Sequence, residues 1–166
     1  MKKRNLMEEY NTTAYLYNMR YKEEQELKIS FLLGRIKPKE DEILIDVGCG
    51  TGILFKMVKC KEIIGIDISI NMIREAKKIG KAELILADGE NLPLRDEIAD
   101  IVMSVTVIDL AENKEKFFSE IIRCLKRNGR FGISILKHSN IPKNIPEDTE
   151  IYESDTMKSI FLIGKK

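Results

Sequence analysis

The chain has 166 residues, enough for one domain that buries roughly 70% of its unfolded surface and too few for a second. With 28 basic against 27 acidic side chains, a net charge of +1 excludes a global electrostatic pull toward nucleic acid, so any RNA contact has to be a local patch. Cys49, Cys60 and Cys124 are scattered with no CxxC pair, which argues against a cysteine zinc site and points to a reduced intracellular protein. No apolar run approaches the ~18 residues of a membrane span.

The start, Met1-Lys2-Lys3-Arg4-Asn5-Leu6, leads into Glu8 and Glu9 and not into a signal-peptide core, so a cytoplasmic location is expected. Residues 6–35 read as two helices or one bent one. Tyr10, Ala14, Tyr17 and Tyr21 share one helical face, Leu27, Phe31 and Leu32 continue an apolar stripe, and Gly34 and Pro38 stop it. The tyrosine face admits two readings: packing against the main domain, or a lid that closes over a ligand while its hydroxyls donate hydrogen bonds to the polar end.

Ile43–Val47 is a short branched apolar run that suits a strand buried on both faces, and Gly48, Gly50 and Gly52 follow it before helical spacing begins. These glycines permit positive φ and close approach of a ligand to the main chain, and a helix from Thr51 would aim free N–H groups into the same space. Ile53, Leu54, Met57 and Val58 are its expected inward residues, and Cys49 reads as a small loop filler, not a nucleophile. The dinucleotide fingerprint requires a third glycine three residues after the second, and that position is Ile53.

A second buried strand, Glu62 to Ser69, carries Asp67 at its carboxyl end, where a carboxylate can accept hydrogen bonds from both hydroxyls of a ribose. Ser69 reads as the N-cap of a helix with Met72, Ile73, Ala76 and Ile79 inward and Gly80 as its stop. Strand three, Glu83 to Ala87, runs into Asp88-Gly89-Glu90-Asn91-Leu92-Pro93, and Pro93 leaves no room for a long crossover helix before strand four, Asp100 to Val105. Asp109 beyond it reads as a base or a helix cap. A helix from about Asn113 to Lys126, with Phe117, Phe118, Ile121, Ile122 and Leu125 inward, leads through Gly129 into strand five, Arg130 to Leu136. Pro142 and Pro146 make residues 137–149 an irregular loop holding His138, and Glu150–Ser154 with Lys158–Ile163 reads as a closing antiparallel hairpin.

Asp46-x-Gly48-x-Gly50-x-Gly52 resembles the first motif of the class I S-adenosylmethionine (SAM) dependent methyltransferases. Asp88 between small residues ahead of Leu92-Pro93, and the stretch Ile121 to Phe131, resemble two further signatures of that family in the correct order; the minimal type 11 branch is the nearest general match. The resemblance implies an α/β fold: a three-layer Rossmann-like sheet, mostly parallel with a closing antiparallel hairpin, in one domain of residues 1–166. Within it, residues 1–38 form an N-terminal helical lid, 39–136 the SAM-binding core, and 137–166 a loop and terminal strand hairpin.

The resemblance also assigns SAM as cofactor and distributes its contacts. Gly48, Gly50 and Gly52, with Cys49 in the same loop, admit its methionine and ribose parts. Asp67 grips the ribose, with Ile68 and Met72 beside it; Asp88 takes the adenine amino group, with Gly89 beside it; Ser104 and Val105 line the methyl side; Asp46 braces the loop or meets the ammonium group. Ser104-Val105-Thr106-Val107 departs from the Asn-Pro-Pro-Tyr of enzymes that methylate amide nitrogens or exocyclic base amines, which argues against that chemistry. Candidate proton-handling groups are Asp109, His138 and Tyr17. Donor and acceptor need only be held in line about 3 Å apart, with no metal.

Residues Tyr10 to Lys28 and the Ser-Val-Thr-Val rim are similar to RNA methyltransferases that work with a small zinc-ribbon activator protein. The expected protein moves a methyl group to an unidentified acceptor, a macromolecule (RNA or protein) ahead of a small molecule. It has no membrane partner, admits an activator, and is a monomer or weak dimer. The rival classes are an inactive SAM-binding subunit and a nicotinamide-dependent oxidoreductase domain.

Overall fold

The computed structural model describes residues 2–166; Met1, on which the expectation about the chain's start partly rests, lies outside the described residues. In chain order the elements are α1 (Lys2–Ile36), β1 (Ile43–Val47), β2 (Glu62–Asp67), α2 (Ile70–Lys77), β3 (Glu83–Leu86), β4 (Ala99–Val105), α3 (Lys114–Cys124), β5 (Leu125–Leu136), β6 (Glu150–Ser154) and β7 (Ser159–Lys165), with short 3-10 turns at Ile53–Lys56 and Ile108–Leu110. The strands form one seven-stranded sheet in the order β3-β2-β1-β4-β5-β7-β6. Strands β1 to β5 pair in parallel, and β7 and β6 close the sheet antiparallel. This is the three-layer Rossmann-like sheet that the resemblance implies.

Alternation along each strand sends successive side chains to opposite faces, and each face has its own core. Ile45 and Val47 join Val102, Phe118, Phe131 and Ile133 under α3. Leu44 joins Ile101, Met103 and Phe55 under the second half of α1, through Ile29, Leu32 and Ile36. Gly132 lets α1 lie close on β5: a Cβ there would sit 2.2 Å from the Ile36 Cδ1. Arg130 ties the end of α1 to the start of β1, donating from Nε to the Ile36 carbonyl (3.1 Å) and bidentately to Glu42 (2.9 and 2.8 Å).

Four expectations are corrected. The N-terminal segment is one uninterrupted helix, with Gly34 inside its last turn; the stop comes at Lys37, which takes φ +50 ahead of Pro38. The segment after the glycine loop is a single 3-10 turn, not a helix. Residues 52–61 must return beside a strand of about 17 Å, and ten residues of α-helix, at ~1.5 Å each, fall short of that distance with its lateral detour. Phe55, absent from the expected inward set, is its most buried residue at 0% exposure.

The last two corrections concern element ends. α3 stops at Cys124 and β5 begins at Leu125, five residues before Arg130. Ala99 pairs with Leu125 but Ile101 pairs with Arg130, so Lys126 to Gly129 bulge out of the ladder, with Asn128 at φ +61. Lys126 therefore reaches Asp100 (3.0 Å) and does not sit on a helix dipole. Asp109 caps no helix: Asn113 caps α3 by accepting from the Lys116 amide. Elsewhere Ser69 caps α2 as expected, and residues 87–98 and 137–149 hold no helix or strand. Among the described residues no helix is long and apolar enough to cross a membrane.

Candidate active site

Strand order reverses on either side of β1: the chain moves to β2 and β3 on one side and to β4 and β5 on the other. At such a switch point the loops leaving adjacent strands part and open a crevice at their carboxyl ends. The hollow found there encloses about 750 Å³ including its open mouth, and residues from the ends of β1, β2, β3 and β4 line it.

The floor is the glycine loop. Gly48, Gly50 and Gly52 have φ of +78, +53 and +80, values that an L side chain resists. The amides of Gly48 and Cys49 both donate to the Ile66 carbonyl (2.7 and 2.9 Å), hanging the loop on β2. Its first glycine is also a steric requirement, since a Cβ on Gly48 would stand 2.3 Å from a Val107 methyl. Over Gly50, the nearest atom to such a Cβ is the Tyr17 ring at 4.0 Å. The space above the loop is therefore open up to α1.

Asp67, at the end of β2, accepts from the Gly50 amide on Oδ2 and from the Ser69 amide on Oδ1, both at 2.9 Å. An ionised carboxylate offers about four lone-pair sites, so each oxygen keeps one for the two hydroxyls of a ribose. Burial pushes its carboxyl up, and the amides of Ser69, Gly50 and Ile68 pull the other way without cancelling it. Asp46, beneath the loop on β1, is 4% exposed. Burial, with the nearby Asp67 charge, pushes its carboxyl up to about 8.

The Asp46 shift has a sign that can be measured. The folded chain holds this proton above the ordinary 3.8, so stability falls as pH climbs from about 4 to about 8 and is level beyond. Asp46→Asn is expected to be more stable than the parent at pH 8 and equal to it near pH 4, as measured by urea unfolding at the two pH values.

Asp88, just past β3, lies at the neighbouring strand end, where the Ala87 amide donates to the Asp67 carbonyl (2.9 Å). Its Oδ1 accepts from the Glu90 amide (3.0 Å) and its Oδ2 from the Lys3 ammonium (2.6 Å). Burial works to raise this carboxyl, but Lys3 and the Glu90 amide outweigh it and hold it below the usual carboxylate range. Lys3 also lies 3.2 Å from Glu90, whose other oxygen accepts from the Glu112 amide (2.6 Å). Gly89 leaves room for Phe117, whose ring carbon lies 2.3 Å from where a Cβ would be.

The wall at the end of β4 is Val105, Thr106 and Val107, and the first half of α1 roofs the hollow with Tyr10 and Tyr17. The two rings lie 6.4 Å apart, and Tyr17 stands 5.1 Å from Tyr21. Burial raises both phenols, with Asp67 among the contributing charges, so they are neutral donors near pH 7. α1 is held to the rim by polar contacts. Asn11 Oδ1 accepts from the Ser69 hydroxyl (2.6 Å) and the Asn71 amide (3.2 Å), and the Thr51 hydroxyl donates to Asn18 (2.5 Å).

The hollow thus brings together Gly48, Gly50, Asp67, Ile68, Met72, Asp88, Gly89, Val105 and Tyr17 from the sequence-based set. Asp46, Cys49, Gly52 and Ser104 lie behind its lining. Ser104 donates to the Val47 carbonyl (2.8 Å), and burial, with Asp46 and Asp67, pushes the Cys49 thiol well above its usual range. Asp109 accepts from Lys114 (3.1 Å) and the Leu136 amide (2.8 Å), and His138 is exposed on the loop after β5; neither lines the hollow. Sequence reasoning missed Lys3, Glu90 and Phe117 as lining residues. Nothing local marks Lys3, 85 positions from its partner, and Phe117 carries the spacing of an ordinary core residue.

Three comparisons bear on this geometry. A family model described as "Methyltransferase domain" matches residues 45–133, more than half of the chain. Among curated relatives, an uncharacterised protein of Methanocaldococcus jannaschii is 37% identical over 70% of this chain and 53% of its own length. A malonyl-[acyl-carrier protein] O-methyltransferase of a Marinomonas strain is 27% identical over 85% of this chain and 55% of its own. The chain spans about half the length of the curated relatives it matches. Among solved structures, the complex between the Haloferax volcanii Trm112 methyltransferase activator and a methyltransferase matches with TM-score 0.72 at 22% identity, covering 76% of this chain and 60% of that one. The family model spans the glycine loop, Asp67, Asp88 and the β4 wall of one hollow, and the protein belongs to the class I SAM-dependent methyltransferases, with S-adenosylmethionine as its cofactor.

Proposed function

We propose that this protein transfers the SAM methyl group to an acceptor carried on a macromolecule. The observation that carries it is the convergence of Asp67, Asp88 and the positive-φ glycine loop on one hollow at the sheet's switch point. When bound, SAM supplies a methyl group already activated by its sulfonium, so the chain's own task is positioning. The free lone pairs of Asp67 meet the ribose hydroxyls. Asp88 meets the adenine amino group, and Val105 to Val107 wall the methyl side. Tyr10 and Tyr17 roof the site as a lid, excluding water and donating from hydroxyls that burial keeps protonated.

Among the described residues, the wall beyond β4 lines the hollow with Val105, Thr106, Val107, Leu110 and Ala111, none of them a carboxylate or histidine. On this reading the acceptor atom arrives nucleophilic or sheds its proton to solvent; Asp109 and His138 do not line the hollow, and the Tyr17 phenol, raised by burial, acts as a donor. Two observations favour a macromolecule over an enclosed metabolite. The connections at the rim, residues 106–113 after β4 and 137–149 after β5, hold no α-helix or strand and add no separate substrate domain. Two relatives are named for groups on large carriers, malonyl-[acyl-carrier protein] and tRNA (carboxymethyluridine(34)-5-O). A small activator protein as partner is part of the proposal, supported by the Haloferax volcanii complex.

Transfer from methyl-labelled SAM to fractionated cell RNA, protein and metabolites, with and without a zinc-ribbon activator, tests it. Label in RNA or protein is expected. Label confined to metabolites overturns the macromolecular acceptor, and label in no fraction indicates an inactive binding subunit.

Lys3 yields a separate prediction. Its ammonium occupies Asp88 Oδ2, and the pair is partly exposed, at 26% and 29%. Releasing a partly exposed pair of this kind is worth under about 1 kcal/mol, so Lys3→Ala is expected to tighten SAM binding ~3-fold. Titration calorimetry at low salt checks it; weaker binding would mean that Lys3 assists the cofactor.

A further inference from the structure

Two unusual residues meet at the β4 wall. Lys28 has a side chain with 0% exposure, a burial that lysine almost never shows unless paired, and its carbon stem has no route by which to carry the ammonium to solvent. Its Nζ donates to Glu24 Oε1 (2.6 Å), a carboxylate that is half exposed, and to Thr106 Oγ1 (3.2 Å). Thr106 is β-branched and sits at φ +59, a conformation that costs such a residue strain and persists only where the surroundings impose it.

The surroundings here are specific. The Thr106 amide donates to the Ser134 carbonyl (3.0 Å) and hydroxyl (2.9 Å), and Thr106 Oγ1 lies 3.3 Å from Ser134 Oγ. The next residue, Val107, fills the space that Gly48 leaves free. The left-handed turn at Thr106 thus sets where the wall meets the glycine loop, and Lys28 holds it from behind.

We infer that Lys28 is a positioning residue: through Thr106 it holds the Val105–Val107 wall in its strained conformation, joining the roof helix to the methyl side of the site. The inference rests on the hollow being the SAM site. It also accounts for a charge kept in the interior, where a hydrophobic residue of the same length would fit without the desolvation cost.

The test needs no acceptor. Lys28→Met and Thr106→Val, each close to isosteric, are expected to weaken SAM binding about tenfold by calorimetry and to speed hydrogen exchange at the Thr106 amide. The double variant is expected to lose clearly less than the sum of the two single losses, because both remove the Lys28–Thr106 bond. Thr106→Gly in the Lys28→Met background is expected to restore most of the affinity, since glycine takes φ +59 without the strain. Parental binding and exchange in Lys28→Met, additive losses, or no recovery with glycine would each overturn the inference. If the parent itself fails to bind SAM, the proposed function falls, and the exchange measurements still decide the role of Lys28.

Discussion

Asp67→Ala is expected to abolish useful SAM binding, weakening it about 100-fold or more. The carboxylate is the group in the hollow placed to take both ribose hydroxyls, and hydrogen bonds to a charged acceptor are worth about 1.5–3 kcal/mol each. Its two amide contacts also pin Gly50 and Ser69, so part of the loss comes from a loosened loop. Asp67→Asn is the milder change: it keeps the side-chain shape and one acceptor oxygen, so one amide contact survives while its NH2 opposes the other amide donor, and it is expected to lose roughly 10-fold. Calorimetric titration with SAM measures both, and an Asp67→Ala protein that binds like the parent would remove the carboxylate from the site.

Gly48→Ala is expected to damage fold and site together. The residue would have to hold φ +78 with a Cβ, at about 1–2 kcal/mol, and that Cβ would overlap a Val107 methyl at 2.3 Å, an overpacking worth about 1–3 kcal/mol. For a chain of this length that corresponds to a melting point roughly 10 °C lower. Adding Val107→Ala removes both methyl overlaps but leaves the residue 107 Cβ at 2.9 Å and the backbone strain, so the pair is expected to recover only part of the loss. Full recovery would mean that the positive φ costs nothing, and no recovery that Val107 is not the contact.

The parts legible in the sequence are those where local pattern and long-range pairing agree. Ile43 to Val47, Ile63 to Ile66 and Ile101 to Val105 read as buried strands and are strands, because branched residues on both faces suit a covered parallel sheet. Ser69 read as a cap and caps α2. The misreadings share a cause. Ile53 to Val58 carry helical spacing, yet the distance back to β2 forces a single 3-10 turn. Lys126 to Gly129 carry the signature of a helix end, yet the register between β4 and β5 turns them into a bulge.

Within the site, the glycine loop and Asp67 were legible because backbone chemistry demands them. Asp88 was legible through family likeness, and the geometry adds that its second oxygen is shared with Lys3. Lys28 and Thr106 were invisible as a pair: 78 positions separate them, and neither a lysine on a helix nor a threonine after a strand signals a buried bond or a left-handed φ. Tertiary pairings of this kind exist only once the helix is laid across the sheet.

The central claim is that this hollow holds a sulfonium nucleoside, and thermal unfolding with SAM, its demethylated product or NAD tests it most directly. A ligand at a hundred times its dissociation constant adds about 2.7 kcal/mol, or roughly 5–10 °C for a chain of this length. Stabilisation of that size by SAM and its product, with none from NAD, is the predicted result; stabilisation by NAD alone, or by none of the three, would contradict it.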